Sequence, residues 1–244
     1  MEVHHHAHTA RKKWTHYLWE FLMLFLAVFC GFLAEYKLEQ TIERHREKEF
    51  IISMLEDVST DTTNINKVIN YNAERMNYLD SLANACYEFR DHPEQHSRIY
   101  VMLRNTLYRP DLVYPTDRTI FQLKNAGGMR LIRKKESANS IIAYDNNGKQ
   151  VLNQQVYYEN YLTFLSESAL ILIDFRELWA KPRKESGNFS NVRLINKDEL
   201  AIRKMGNLAR IFQGIILQYN NRLQEMKTMA IRMSGMLAKE YRIH

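Results

Sequence analysis

The sequence predicts an all-α protein in which a single N-terminal transmembrane helix continues into an elongated helical-bundle ectodomain. An apolar stretch of membrane-spanning length lies close to the N-terminus. Residues 37–90 contain neither proline nor glycine, which favours one long helix. Apolar residues there recur at alternating steps of three and four, the spacing of helices that pack along a narrow seam. We therefore divide the 244 residues into a tail (1–13), a transmembrane helix (14–36) and an α-helical ectodomain (37–244).

Residues 14–36, WTHYLWEFLMLFLAVFCGFLAEY, form the predicted transmembrane helix. These 23 residues rise about 34 Å, which is enough for a hydrocarbon core of roughly 30 Å. Aromatic residues near both ends, with Trp14 and Tyr36 outermost, are typical of membrane interfaces. The apolar residues cover every face of the helix and leave no polar stripe. We expect this segment to contact the lipid bilayer.

This apolar stretch has three other interpretations: a cleaved signal peptide, a lipoprotein signal and a buried core helix. Signal-peptide cleavage after Ala34 would require a small residue where the bulky Phe32 stands. A lipoprotein site at Cys30 would follow Phe29, which is also bulky, so both interpretations are disfavoured. The uncharged part, residues 21–34, also has the length of a buried core helix in a soluble protein, and that alternative stays open.

Basic residues beside the span predict its orientation. Arg11, Lys12 and Lys13 directly precede the span, whereas only Lys37 is equally close to its other end. Because basic residues near a span tend to stay in the cytoplasm, the tail is predicted to be cytoplasmic. Residues 37–244 are then outside the cytoplasm.

Composition argues against two features, a nucleic-acid interface and an internal disulfide. The formal net charge is +6 at pH 7 and the basic residues are spread along the chain, so we predict a solvated surface and no nucleic-acid partner. Cys30 lies in the span, and the only other cysteine, Cys86, is predicted to be a small core residue. An internal disulfide is therefore not expected, and the fold must depend on packing.

The helix after the span carries the predicted seam. Its positions alternate in steps of four and three: Ile51, Leu55, Val58, Thr62, Ile65, Ile69, Asn72, Met76, Leu79, Ala83 and Cys86. The five large apolar residues nearest the span are the candidate contact residues of this seam: Ile51, Leu55, Val58, Ile65 and Ile69. Neighbouring acids such as Glu56 and Asp57 are predicted to lie on an exposed face, where they serve solvation.

Shorter elements follow this helix. The run Asp91–Pro93 ends it, and a shorter helix is predicted over residues 94–108. Pro110 and Pro115 exclude helix from the next segment, which we interpret as a connection packed on the core, with a recognition loop as the alternative. Another short helix is predicted over residues 117–125.

Two long helices are predicted in the remaining chain. The first covers residues 135–180, with a possible interruption at Asp145, Asn146, Asn147 and Gly148. The second opens with a capping pair, Asn196 and Glu199, and continues to about Tyr241. Its apolar period matches that of residues 51–86, so these two helices are predicted to pack together.

Motifs that would indicate an enzyme are absent from the sequence. It has no glycine-rich phosphate loop, nucleophile elbow, His-Glu-x-x-His or cysteine pair at metal spacing. The tail has four histidines, His4, His5, His6 and His8, but a short tail lacks the groups that orient metal ligands. We therefore predict no enzymatic activity, no cofactor and no metal site.

Two segments resemble a known family of proteins. The span opens with Trp19, Glu20 and Phe21 and continues FLAVFCGFLAEY, and a later segment reads PTDRTIFQLKNAGGMRLIRKKESANSIIAYD. Both are similar to an uncharacterised family of bacterial single-span membrane proteins that is common in Bacteroidota. Its members carry a Leu-Lys-x-x-Gly-x-x-x-Leu-Ile-like segment, here Leu123, Lys124, Gly127, Leu131 and Ile132.

The resemblance covers most of the chain and implies a bacterial inner-membrane location with a periplasmic ectodomain. It implies no activity, because the family has no assigned function or catalytic residues. This sequence departs from the family pattern at Gly128, beside Gly127, which is expected to loosen the turn there.

Two functions are compatible with these features. The first is a membrane-anchored scaffold or sensor that works through protein–protein association, with Ala27, Gly31 and Ala34 as a surface for close helix packing in lipid. In this hypothesis the protein is oligomeric, and the seam near the membrane also needs a partner. The alternative is an accessory subunit of a transport or channel complex. That hypothesis depends on Glu20, because a carboxylate in lipid costs a few kcal/mol unless it is paired or reaches the headgroups.

Overall fold

The computed structural model describes residues 14–108, 110–125, 127–179, 189 and 191–243. Within these residues the protein contains helices and no strand, which confirms the predicted all-α class. The helices are α1 (Trp14–Tyr87), α2 (Pro93–Leu107), α3 (Arg118–Asn125), a 3-10 turn (Gly128–Leu131), α4 (Lys135–Leu172), α5 (Phe175–Trp179) and α6 (Glu199–Tyr241).

The chain divides into two compact units, residues 1–49 and 50–244. The described part of the first unit is the beginning of α1. Residues 14–39 are exposed, and α1 is the one helix in the described ranges that is long and apolar enough to cross a membrane. The predicted boundary between span and ectodomain, after residue 36, lies inside α1, which continues without a break to Tyr87.

The second unit is built on α4, α6 and the part of α1 from Phe50 onward. Asn72 of α1 donates to Asn220 of α6 (2.7 Å), and Tyr87 donates to Asn207 (2.9 Å), so these two helices are antiparallel. These contacts confirm the prediction that the two helices pack together.

Helix α4 forms the third side of this bundle, and two of its tyrosines donate hydrogen bonds to α1. Tyr144 donates to Asp61 at 2.6 Å, and Tyr158 donates to Asn72 at 3.2 Å. Because the residue numbers rise together on both helices, α4 is parallel to α1. The connection through α2 and α3 must therefore return along the bundle before α4 begins.

The predicted interruption of α4 at residues 145–148 is wrong, because the helix continues through Gly148. Gly148 is buried, and a Cβ added there would lie 3.3 Å from Cγ of Pro115. The glycine therefore allows the connection to approach the helix closely. The predicted end at residue 180 is also wrong, since α4 ends at Leu172 and α5 is a separate short helix.

Two smaller expectations about helix ends also require correction. The residue that caps α6 is Asp198, whose carboxylate accepts the Ala201 N–H at 2.9 Å, whereas Asn196 accepts the N–H of Asp198 at 2.8 Å. Gly128 does not loosen its turn. It is buried in the 3-10 turn, where an added Cβ would lie 3.2 Å from Cα of Leu123.

The seam of α1 differs from the predicted one at alternate positions. Ile51, Val58 and Ile65 are buried as expected, but Leu55 and Ile69 are only half-buried. One line of buried residues follows steps of three and four: Ile51, Met54, Val58, Asp61, Ile65, Val68, Asn72, Arg75, Leu79, Leu82 and Cys86. Asp57, Ala83 and Ala85, beside this line, are also buried. Two charged residues, Asp61 and Arg75, thus occupy positions in the bundle core.

Candidate functional site: polar layers of the bundle and the apolar segment of α1

The apolar segment of α1 carries the predicted intramembrane acid, Glu20. Its carboxylate lies 3.1 Å from Nε2 of His16, one helical turn earlier. Both side chains are about half exposed in the isolated chain. Glu20 therefore has a partner on its own helix, and that partner can share its charge when the imidazole is protonated.

The predicted span-packing residues, Ala27, Gly31 and Ala34, share one face of α1 because they are four and three residues apart. All three are exposed, and a Cβ added to Gly31 would meet nothing within 4 Å. Glu20 is seven residues before Ala27 and belongs to the same face. The small residues and the acid thus form one surface, which the described part of the chain leaves uncovered.

In the second unit, Asp61 is the centre of an acidic layer. Its carboxylate accepts the Thr116 N–H (2.9 Å), the Thr116 hydroxyl (2.7 Å) and the Tyr144 hydroxyl (2.6 Å). Asp61 is fully buried. The layer therefore joins α1, α4 and the segment before α3.

Asp57 lies one turn before Asp61, and its predicted exposure is wrong: only 2% of its surface is accessible, although its neighbour Glu56 is exposed as expected. It accepts the N–H of Thr119 at 3.1 Å and a hydrogen bond from the Thr119 hydroxyl, and it pairs with Arg118 at 2.7 Å. Thr119 is in the first turn of α3, where backbone N–H groups have no partner within the helix. Asp57 thus caps α3 from a different helix.

Burial raises the pKa of Asp61 above its ordinary value, and the hydrogen bonds from Tyr144 and Thr116 act in the opposite direction. The nearby Asp57 raises this pKa further. Burial, followed by the charge of Asp61, raises the pKa of Tyr144 as well. Thr116 donates to Asp61, and Arg118 and Thr119 donate to Asp57, so the layer holds α3 and its preceding segment against α1.

Arg75 forms a second polar layer and is 1% exposed. Its guanidinium donates to the hydroxyls of Tyr158 (2.8 Å) and Tyr71 (2.6 Å) and to the carbonyl of Tyr108. It also lies over the Tyr71 ring, 4.9 Å from the centroid. Within the described ranges no carboxylate lies within ion-pair distance of Arg75, so aromatic rings, hydroxyls and one carbonyl solvate the cation.

The two layers fix both ends of the segment between α2 and α3. Tyr108, at its start, is bound by Arg75, and Thr116, near its end, is bound by Asp61. In between, the N–H of the buried Val113 donates to the hydroxyl of Tyr219 at 3.0 Å. This geometry agrees with the interpretation of a connection packed on the core.

A third polar group surrounds His96, which is 1% exposed. Its Nδ1 accepts the N–H of Leu194 at 3.2 Å, so Nε2 carries the proton and donates to Asp91 at 2.8 Å. Asp91 also pairs with Lys197 at 2.9 Å. The hydrogen bonds from Lys197 and then from His96 lower the pKa of Asp91.

The remaining predicted site residues are either covered within the bundle or lie outside the described residues. Ile51, Val58 and Ile65 are covered within the chain, which leaves them no free stripe for a second molecule. The tail histidines His4, His5, His6 and His8 and the basic residues 11–13 lie outside the described residues. Among the described residues, no group of three or more His, Cys, Asp or Glu is arranged to hold a metal ion.

Sequence reasoning missed Asp61, Arg75 and His96 as buried groups. The spacing contained a signal for the first two, since Met54, Val58, Asp61, Ile65, Val68, Asn72 and Arg75 keep steps of four and three. The predicted seam instead passes through the next residue at these two steps, Thr62 and Met76. His96 likewise keeps helical spacing with the buried Ile99, Tyr100 and Leu103 of α2, but its acceptor, Asp91, and its donor, Leu194, lie outside that helix.

Comparisons with models of known protein families, with curated proteins and with solved structures each found no match. The resemblance to a Bacteroidota family stays a prediction.

Proposed function

We propose that this protein is a membrane-anchored helical scaffold or sensor that works through protein–protein association. The observation that supports this most is the course of α1, which runs unbroken from the exposed apolar segment 14–36 into the seam of the second unit. Such a helix joins the apolar segment to the bundle without a break in its hydrogen-bonded backbone. In this proposal the protein is not an enzyme, has no cofactor and binds no nucleic acid.

The proposed location is the bacterial inner membrane, crossed once by residues 14–36, with the N-terminus in the cytoplasm and residues 37–244 in the periplasm. The basic residues 11–13 and the family resemblance support this orientation. Alkaline phosphatase fused after His244 is expected to be active, and the same reporter placed after Ala10 is expected to be inactive. Activity at Ala10 combined with none at His244 would reverse the orientation.

Self-association is proposed to use the apolar segment alone. The seam residues Ile51, Val58 and Ile65 are already buried within the second unit, so they have no exposed apolar surface that a second chain would cover. The face of Ala27, Gly31 and Ala34 is exposed and allows two helix backbones to approach closely in lipid. Glu20, which already pairs with His16, shares that face.

Replacing Gly31 with leucine is expected to weaken self-association by at least about tenfold, because the larger side chain separates the two backbones. The measurement is sedimentation equilibrium of the full chain in density-matched detergent. Phe29→Leu, a change on the opposite face of the same helix, is the control and should leave association unchanged. A purely monomeric wild-type chain, in detergent and in a mild membrane extract without a stoichiometric partner, would reject the proposal.

The second candidate function is an accessory subunit of a transport or channel complex. Glu20 favours it, because acids inside a membrane commonly mark functional contacts between spans. In that case the mild extract contains a second membrane protein, and Glu20→Gln releases it. If Glu20 only reaches the headgroups beside His16, the same variant leaves every complex intact.

A further inference from the structure

We propose that a cavity between the end of α1 and the beginning of α6 binds a small anion that carries a carboxylate or phosphate group. The cavity has a volume of about 420 Å³ and is lined by Cys86, Tyr87, Phe89, Arg90, Lys197, Glu199, Ile202 and Arg203. This volume is within the range of small-molecule sites. The inference goes beyond the proposed function and does not depend on membrane anchoring.

The charge of the lining favours an anion. Among the described lining residues, Arg90, Lys197 and Arg203 bring three positive charges, against the negative charges of Glu199 and of Asp91, which pairs with Lys197. Cys86 adds no negative charge, since burial raises its pKa to about 12 and keeps it as a thiol. A concave surface with excess charge of one sign concentrates ligands of the opposite sign.

Arg90 and Arg203 differ in the hydrogen bonds and ion pairs that they already form. Arg90 donates to the carbonyl of Phe89 at 2.9 Å, and no described carboxylate pairs with it. Arg203 pairs with Glu199 at 3.1 Å, but both side chains are more than half exposed, and such a pair contributes little. Arg90 therefore has free donors, and Arg203 gives up little when it turns toward a ligand.

The geometry of these groups narrows the ligand class. The planar guanidinium of Arg90 matches the two oxygens of a carboxylate or phosphate. Ile202 and Phe89 add apolar surface, which suits a short carbon chain beside the oxyanion. The first turn of α6 is already capped by Asp198, so side chains rather than the helix end provide the recognition.

Lys197 connects this cavity to the buried His96. It lines the cavity and also pairs with Asp91, which accepts the hydrogen bond of His96. His96 in turn accepts the N–H of Leu194, just before α6. A bound anion therefore acts on the contacts that hold the start of α6 against α2.

The test uses the full chain in detergent, titrated with sodium phosphate and with sodium succinate at constant ionic strength, with sodium chloride as the reference. Isothermal calorimetry and the unfolding temperature are measured together. We expect at least one oxyanion to bind saturably and to raise the unfolding temperature above that in chloride. Comparing the affinities for phosphate and succinate then shows whether the cavity prefers a phosphate or a carboxylate group.

Arg90→Gln and Arg203→Gln are each expected to weaken this binding by about tenfold or more. Arg222→Gln is the matched control, because Arg222 is also on α6 in an exposed pair, with Glu225 at 2.8 Å, but does not line the cavity. The absence of saturable binding by both oxyanions would overturn the proposal. If Arg90→Gln, Arg203→Gln and wild type bound the oxyanion with equal affinity, the anion would not bind in this cavity.

Discussion

Arg75→Ala is expected to lower the free energy of unfolding by about 3–5 kcal/mol. The change removes a large, fully buried side chain and leaves a cavity in the seam of α1. It also removes the donor for the carbonyl of Tyr108 and for the hydroxyls of Tyr71 and Tyr158. Chemical denaturation of the full chain in detergent, followed by far-ultraviolet circular dichroism, measures the loss.

Two further variants separate the causes of this effect. Arg75→Met keeps most of the volume and removes the donors, so it should cost only about 1–3 kcal/mol. Arg222→Ala changes an exposed arginine and should stay within about 0.5 kcal/mol of wild type. If Arg75→Ala behaved like Arg222→Ala, the second polar layer would contribute nothing to stability.

Asp61→Ala is expected to lower the free energy of unfolding by about 2–4 kcal/mol, because two hydroxyls and one backbone N–H lose their acceptor. Asp61→Asn retains an acceptor and should cost much less. Glu56→Gln, which changes an exposed neighbour, is the control for charge alone. The same denaturation experiment measures all three variants.

The dependence on pH follows from the raised pKa of Asp61. Between its ordinary value of 3.8 and its higher value in the folded chain, the folded state holds a proton that the unfolded state has released. Asp61 therefore contributes most to stability below pH 3.8 and less as the pH rises through that window. The stability of Asp61→Asn relative to wild type should increase over the same window. If the stability of Asp61→Asn relative to wild type stayed constant or decreased over this window, the pKa of Asp61 would not be raised in the folded chain.

Most of the helix order could be predicted from local spacing. The unbroken course of α1, its end before Pro93 and the non-helical segment at Pro110 follow from residues close together in sequence, and the structure confirms them, although α1 ends at Tyr87 rather than at residue 90. The apolar period that predicts the pairing of α1 with α6 is also a local pattern within each helix. The α4 prediction failed at Gly148, because a glycine that indicates a turn locally can also serve a close contact with a distant proline.

The polar layers could not be predicted from α1 alone. Asp61 is satisfied by Thr116 and Tyr144, which are 55 and 83 residues further along the chain. Without those donors, a buried carboxylate costs several kcal/mol, so the spacing within α1 alone favours exposed positions for its acids. The burial of acids in this helix depends on tertiary partners whose positions local spacing does not determine.

The antiparallel contact between α1 and α6 has a consequence for synthesis of the chain. Asn72 meets Asn220, which is 148 residues later. A ribosome that adds about 5–20 residues per second needs roughly 7–30 s to make that interval. Throughout this time α1 lacks α6, and the apolar side chains that α6 covers face the surroundings of the nascent chain. A chaperone that shields residues 51–86 during this interval would protect these apolar side chains until α6 is made.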